Sequence, residues 1–96
     1  MENKEDKDTN CIFVGRKPLL SYVRAVEVQF TEKKAPEVVL RARGKSINQA
    51  VNLAEFMKRE KEIVLKDIKI GSDIFKDKET NKESNVSSIE ITLIKK

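Results

Sequence analysis

Histidine is absent from the chain, which removes the commonest general base and metal ligand. The single cysteine, Cys11, rules out an intrachain disulfide and fits a reducing, intracellular setting. No apolar run approaches the roughly 20 residues that span a bilayer. The N-terminus, beginning Met1-Glu2-Asn3-Lys4-Glu5, is too polar for a signal peptide. The carboxylates are scattered and mostly stand near lysines, so no evident cluster offers itself to the metal ions of a nuclease. Ser46 has no histidine to activate it, and Cys11 falls in a strand expected to be buried, without a nearby base. These absences argue against an enzyme, and against a cofactor, a membrane or a small-molecule substrate.

What is abundant is charge. Of the 96 residues 39% are apolar and 38% charged, which permits one thin core under a heavily ionised surface. Small domains of this kind often complete their core by pairing, so a homo-oligomer is expected. The net charge of +4 is unevenly placed: residues 1–10 carry −2, residues 11–45 carry +5 and residues 46–96 carry +1. The excess gathers around two turns. That pattern favours a polyanionic partner over general solubilisation.

Residues 1–9 are polar and acid-biased, and read as a disordered arm before a single domain over residues 10–96. Asn10 to Val14 reads as a strand with apolar residues on both faces, hence covered on each side. Pro18 suits the first position of a helix running to about Phe30, with Leu19, Val23, Val26 and Phe30 as its buried stripe. Pro36 forbids its continuation. Glu37 to Arg43 alternates Val38, Leu40 and Ala42 with Val39, Arg41 and Arg43, the pattern of a half-buried strand that becomes cationic at its end.

Ser46-Ile47-Asn48-Gln49 matches a capping box and opens a helix over Ile47 to about Glu60. Its core stripe is Ile47, Ala50, Val51, Ala54 and Met57; Leu53 and Phe56 on the flank are either core edge or partner contact. Ile63 to Gly71 and Val86 to Ile94 read as strands joined by a long polar loop over Ser72 to Asn85. Each helix is expected to cross over between neighbouring parallel strands, with the last two strands forming a hairpin. The fold class is α/β (α+β): a two-layer β-α-β-α-β-β sandwich.

Gly15-Arg16-Lys17-Pro18 and Arg43-Gly44-Lys45-Ser46 are both strand–glycine–base–helix junctions. Parallel strands end at one edge of a sheet, so the two basic turns are expected to be neighbours. Arg16, Lys17, Arg41, Arg43, Lys45 and two helix N-termini would then form an anion site. Gly44-Lys45-Ser46 is not the tail of a P-loop, because the position that requires the first glycine holds Val39. Lys76, Lys78 and Lys82 are auxiliary candidates in the last loop, opposed there by Asp73, Asp77, Glu79 and Glu83. Tyr22 and Phe13 read as core rather than as base-stacking platforms.

Four ordered segments resemble the Alba family of archaeal nucleic-acid-binding chromatin proteins. They are Ile12-Phe13-Val14-Gly15-Arg16-Lys17-Pro18 with Tyr22-Val23, Arg41-Ala42-Arg43-Gly44-Lys45-Ser46-Ile47 with Ala50-Val51, Ile70-Gly71-Ser72, and Val86-Ser87-Ser88-Ile89-Glu90-Ile91. The resemblance implies a four-stranded mixed sheet with two helices, like the C-terminal domain of translation initiation factor three. It implies a homodimer that binds double-stranded DNA, and often RNA, with little sequence preference. It also implies a cytoplasmic, chromosome-associated place in the nucleoid. By the same resemblance Arg16 and Lys17 contact the DNA backbone, Arg41 and Arg43 are the arginines before the central glycine, and the last hairpin lies along the nucleic acid. The family's first turn commonly holds two lysines, one of them acetylated; here Arg16 leaves Lys17 as the candidate for that modification. An aromatic often found at the end of the second helix is missing from Lys58-Arg59-Glu60-Lys61-Glu62, and with it the expectation of dimer-to-dimer contact along DNA.

Overall fold

The computed structural model describes residues 10–96; the arm expected at residues 1–9 lies outside them. The elements are β1 (Cys11–Phe13), α1 (Leu19–Thr31), β2 (Glu37–Arg43), α2 (Ile47–Glu60), β3 (Ile63–Lys76) and β4 (Glu83–Lys95), with a 3-10 turn over Gly44–Ser46 leading into α2. The sheet order is β1-β2-β4-β3. β1 and β2 are parallel, and β4 runs antiparallel to β2 and β3.

Of the two helices, α1 alone links neighbouring strands. The crossover through α2 passes over β4, which lies between β2 and β3, against the expectation from the sequence. The reason lies in burial. A central strand has its inner face covered along its length, and Ile89, Ile91 and Leu93 of β4 are all buried. β3 buries only Ile63, which suits an edge.

Register places the core on one face. Ile12 pairs with Leu40 and Leu40 with Ile91; Val38 pairs with Leu93 and Ala42 with Ile89. Residues paired across a ladder share a face, and all of these are buried beneath the helices together with Val14. Among the described residues, no layer lies over the opposite face. β1 is therefore an edge strand covered on one side only, and Phe13, expected in the core, is 67% exposed.

α1 buries Tyr22, Val23, Val26 and Phe30, and Pro18 sits at its N-cap, one position before the one expected. α2 buries Ala50, Leu53, Ala54 and Met57. Leu53 is core, while Val51 is 39% exposed, so the buried stripe is rotated from the expected one. Both choices satisfy helical spacing, and only the position of the sheet decides between them.

Gly44 turns the basic strand into the helix at φ +57. A Cβ there would stand 3.6 Å from Val86 Cγ1, an ordinary contact, so backbone conformation and not space requires glycine. Gly44→Ala is expected to destabilise the fold by about 1 kcal/mol. Urea unfolding would measure it, and an unchanged midpoint would refute the strain argument.

The loop expected over Ser72 to Asn85 is mostly strand. β3 and β4 stay paired out to Lys76 and Glu83, leaving only residues 77–82 as the turn. Asp77 holds that turn, its Oδ1 accepting from the Glu79 and Thr80 amides at 2.8 and 3.4 Å. From Lys66 to Lys76 every residue of β3 is exposed. The hairpin is thus an arm projecting beyond the two-layer body, and the molecule with its arm measures 47 Å along its longest axis.

Candidate nucleic-acid interface

The two basic turns are neighbours, as parallel β1 and β2 require. The first is fixed by one side chain from each helix. From α2, Gln49 Nε2 donates to the Gly15 carbonyl at 3.2 Å and the Lys17 carbonyl at 2.6 Å. From α1, the Tyr22 hydroxyl oxygen accepts from the Gly15 amide at 2.9 Å and the Lys17 amide at 3.2 Å. Backbone donors and acceptors of the turn are thereby both engaged, and the Arg16 and Lys17 side chains are left exposed.

The expected capping box is not formed. Ser46 has helical φ −85 and ψ −7 within a continuous helical entry, and its side chain makes no cap bond. A capping side chain needs extended backbone to reach back to the first amides. Gln49 ties the two turns together instead.

Gly15, Arg16, Lys45, Ser46, Asn48 and Gln49 line a shallow hollow of about 240 Å³. Arg41 and Arg43 do not enter it. They lie on the open face of the sheet, in a second hollow that shares Ser46 with the first. Arg41 Nε stands 3.0 Å from Glu90 Oε2, its register partner on β4. That N–H is buried and aimed at no acceptor, so the contact is one of charge rather than an aligned hydrogen bond. Arg43 Nη1 is 3.9 Å from Asp73 Oδ2. The five cations expected at one point thus form two adjoining groups, one bearing carboxylates. Lys76, Lys78 and Lys82 are exposed further out, at the tip of the arm.

Three functional contributions escaped the sequence. Gln49 looked like a cap, the Tyr22 hydroxyl gave no local signal, and the pairing of Glu90 and Asp73 with arginines depends on strand register. Tyr22→Phe tests the second. It leaves two partly buried amides without their acceptor and is expected to cost about 1–2 kcal/mol in denaturant unfolding. A variant of wild-type stability would show that the hydroxyl does not hold the turn.

A family model described as Alba matches residues 10–72. The chain belongs to the Alba family. It is 43% identical over 88 residues to the DNA/RNA-binding protein Alba of Nanoarchaeum equitans, covering 88% of this chain and 97% of that one. It is 41% identical to the DNA/RNA-binding protein Alba of Methanococcus maripaludis, covering 90% of this chain and 98% of that one. The solved structure of Alba from Thermoplasma volcanium superimposes with a TM-score of 0.78 at 39% identity, covering 90% of this chain and all of that one. ALBA1 from Trypanosoma brucei superimposes with a TM-score of 0.72 at 26% identity, covering 90% of this chain and 68% of that one. The α+β architecture implied by the sequence resemblance, four strands in a mixed sheet with two helices, is the one found.

Proposed function

We propose that this chain is a sequence-tolerant DNA-binding protein that coats or compacts archaeal DNA as a homodimer in the nucleoid. The observation that carries the proposal is the edge formed by the two turns. The clamp of Tyr22 and Gln49 holds the turn of Arg16 and Lys17 beside the start of α2, and Lys45 in the 3-10 turn borders the same hollow as Arg16. A rigid, cationic edge at a helix N-terminus suits phosphate oxygens, and the relatives from Nanoarchaeum equitans and Methanococcus maripaludis are named DNA/RNA-binding proteins. Lys76, Lys78 and Lys82 extend the contact along the arm. Lys17, exposed at the first turn, is the modification candidate; acetylation there would remove one phosphate partner per subunit.

The dimer has its own support. Ile68 and Ile70 pair with Ile91 and Ile89, so they lie on the helix-side face of the sheet, and alternation puts Ile74 there too. The helices do not cover them, and Ile70 is 82% exposed. An uncharged isoleucine strip of this kind is suited to a second copy of itself.

Titration of duplex DNA over a salt series tests the reading. Log affinity should fall with log salt by about 0.9 per phosphate contact, alike for unrelated sequences. Salt-independent binding, or none, would sink it. RNA is the alternative main target, since the relatives' names include it and phosphate contacts do not separate the two. Crosslinking in cells, with sequencing of both nucleic acids, decides which one the protein occupies.

A further inference from the structure

The face of the sheet turned away from the helices is furnished differently from the turns. Register puts Phe13 beside Arg41, Arg41 beside Glu90 and Arg43 beside Ser88, all pointing to that side. The Arg41 guanidinium lies over the Phe13 ring at 6.0 Å, and that of Arg43 over the Phe75 ring at 5.2 Å. Phe13 is 67% and Phe75 44% exposed, so both rings are open to solvent in part. Phe13, Arg41, Arg43, Asp73, Ser88 and Glu90 border a hollow of about 620 Å³, within the range of roughly 300–1,000 Å³ seen for small-ligand clefts.

The carboxylates distinguish this surface from a phosphate site. Arg41 and Arg43 each face an acid, so much of their charge is already answered. What remains on offer is planar: two rings and two guanidinium groups. Planar groups beside cations are what an unstacked nucleobase recognises. A duplex keeps its bases stacked and cannot use them.

We infer that the open face binds unpaired nucleotides of single-stranded nucleic acid, with bases stacking on the Phe13–Arg41 and Phe75–Arg43 pairs. This rests on the nucleic-acid-binding reading but uses a surface separate from the turns. A second copy of the chain is the less fitting occupant, because the isoleucine strip on the other face is free of charge and this face is not.

The test titrates a labelled single strand, as DNA and as RNA, and the matching duplex against wild type, Phe13→Leu, Phe75→Leu and the double variant. Leucine keeps apolar bulk and removes the π face. Each ring removed should lower single-strand affinity about tenfold. The salt slope should stay unchanged, since no charge is removed, and duplex affinity should hold. Phe→Tyr should restore single-strand binding. Thermal melts check folding; if Phe13→Leu melts early, Phe75→Leu on the projecting arm carries the test. Unchanged single-strand affinity in the double variant overturns the inference, as does an equal loss for duplex or dissociation to monomers in ultracentrifugation. Binding of duplex by wild type is read separately: its absence sinks the proposed function itself, whereas an unaffected single strand beside a bound duplex sinks only this inference.

Discussion

Replacing Arg16, Lys17 and Lys45 together by Ala is expected to lower affinity for duplex DNA at least about a thousandfold at 0.1 M salt. The proposed dimer would present each residue twice, so six phosphate partners would be lost. At about 0.9 per contact, the slope of log affinity against log salt should shrink by up to about five units. The three side chains are exposed and belong to no part of the core, so the fold should survive. Isothermal titration or fluorescence anisotropy at several salt concentrations gives both numbers. A triple variant with wild-type slope would move the phosphate site elsewhere on the molecule.

Arg41→Ala with Arg43→Ala should do less to the slope, although the sequence alone ranks these arginines equally with the rest. To meet a phosphate, Arg41 must give up Glu90 and Arg43 must give up Asp73. Half-exposed pairs are worth only about 0–1 kcal/mol each, so the exchange is possible. It nonetheless releases fewer counterions than an unopposed cation would. Comparing the two sets of variants in one salt series separates charge neutralisation at the edge from contacts on the open face.

Local pattern carried much of the fold. The alternation of β2 and the bounds of α2 follow from spacing within a few residues, and the adjacency of the two glycine–base turns follows from the parallel pairing that a β-α-β unit implies. The failures share a different origin. The central place of β4 is decided by which strand best fills a covered position, a comparison across the whole sheet. The arm carries no burial signal, since every residue of β3 from Lys66 onward is exposed and the strand is held mainly by its backbone ladder to β4. Periodicity cannot report a strand that buries nothing. Phe13 lies outside the core because, although a strand with apolar residues on both sides looks interior, none of the described elements covers its second face. The role of Gln49 was hidden by a competing local motif: a serine three residues before a glutamine signals a cap only when the serine backbone is extended, and here it is helical.

The second large effect concerns assembly. Ile68→Lys with Ile70→Lys is expected to convert the proposed dimer to monomers, raising the dissociation constant by a factor of about a thousand or more. The warrant is symmetry. In an isologous interface each substitution enters twice, placing four ammonium groups in an apolar contact without partners, and each unpaired buried charge costs several kcal/mol. Within one chain Ile70 is 82% and Ile68 48% exposed, so the monomer loses little internal contact and its circular dichroism should be unchanged. Analytical ultracentrifugation over a concentration series reads the shift directly. DNA binding should then change in a defined way: the added lysines raise the net charge, yet duplex affinity should fall, because a monomer carries one set of turns and about half the salt slope. If the variant remains dimeric, the isoleucine strip is not the interface. If it becomes monomeric but keeps the full slope, one subunit already makes all the phosphate contacts, and pairing serves some purpose other than grip on the duplex.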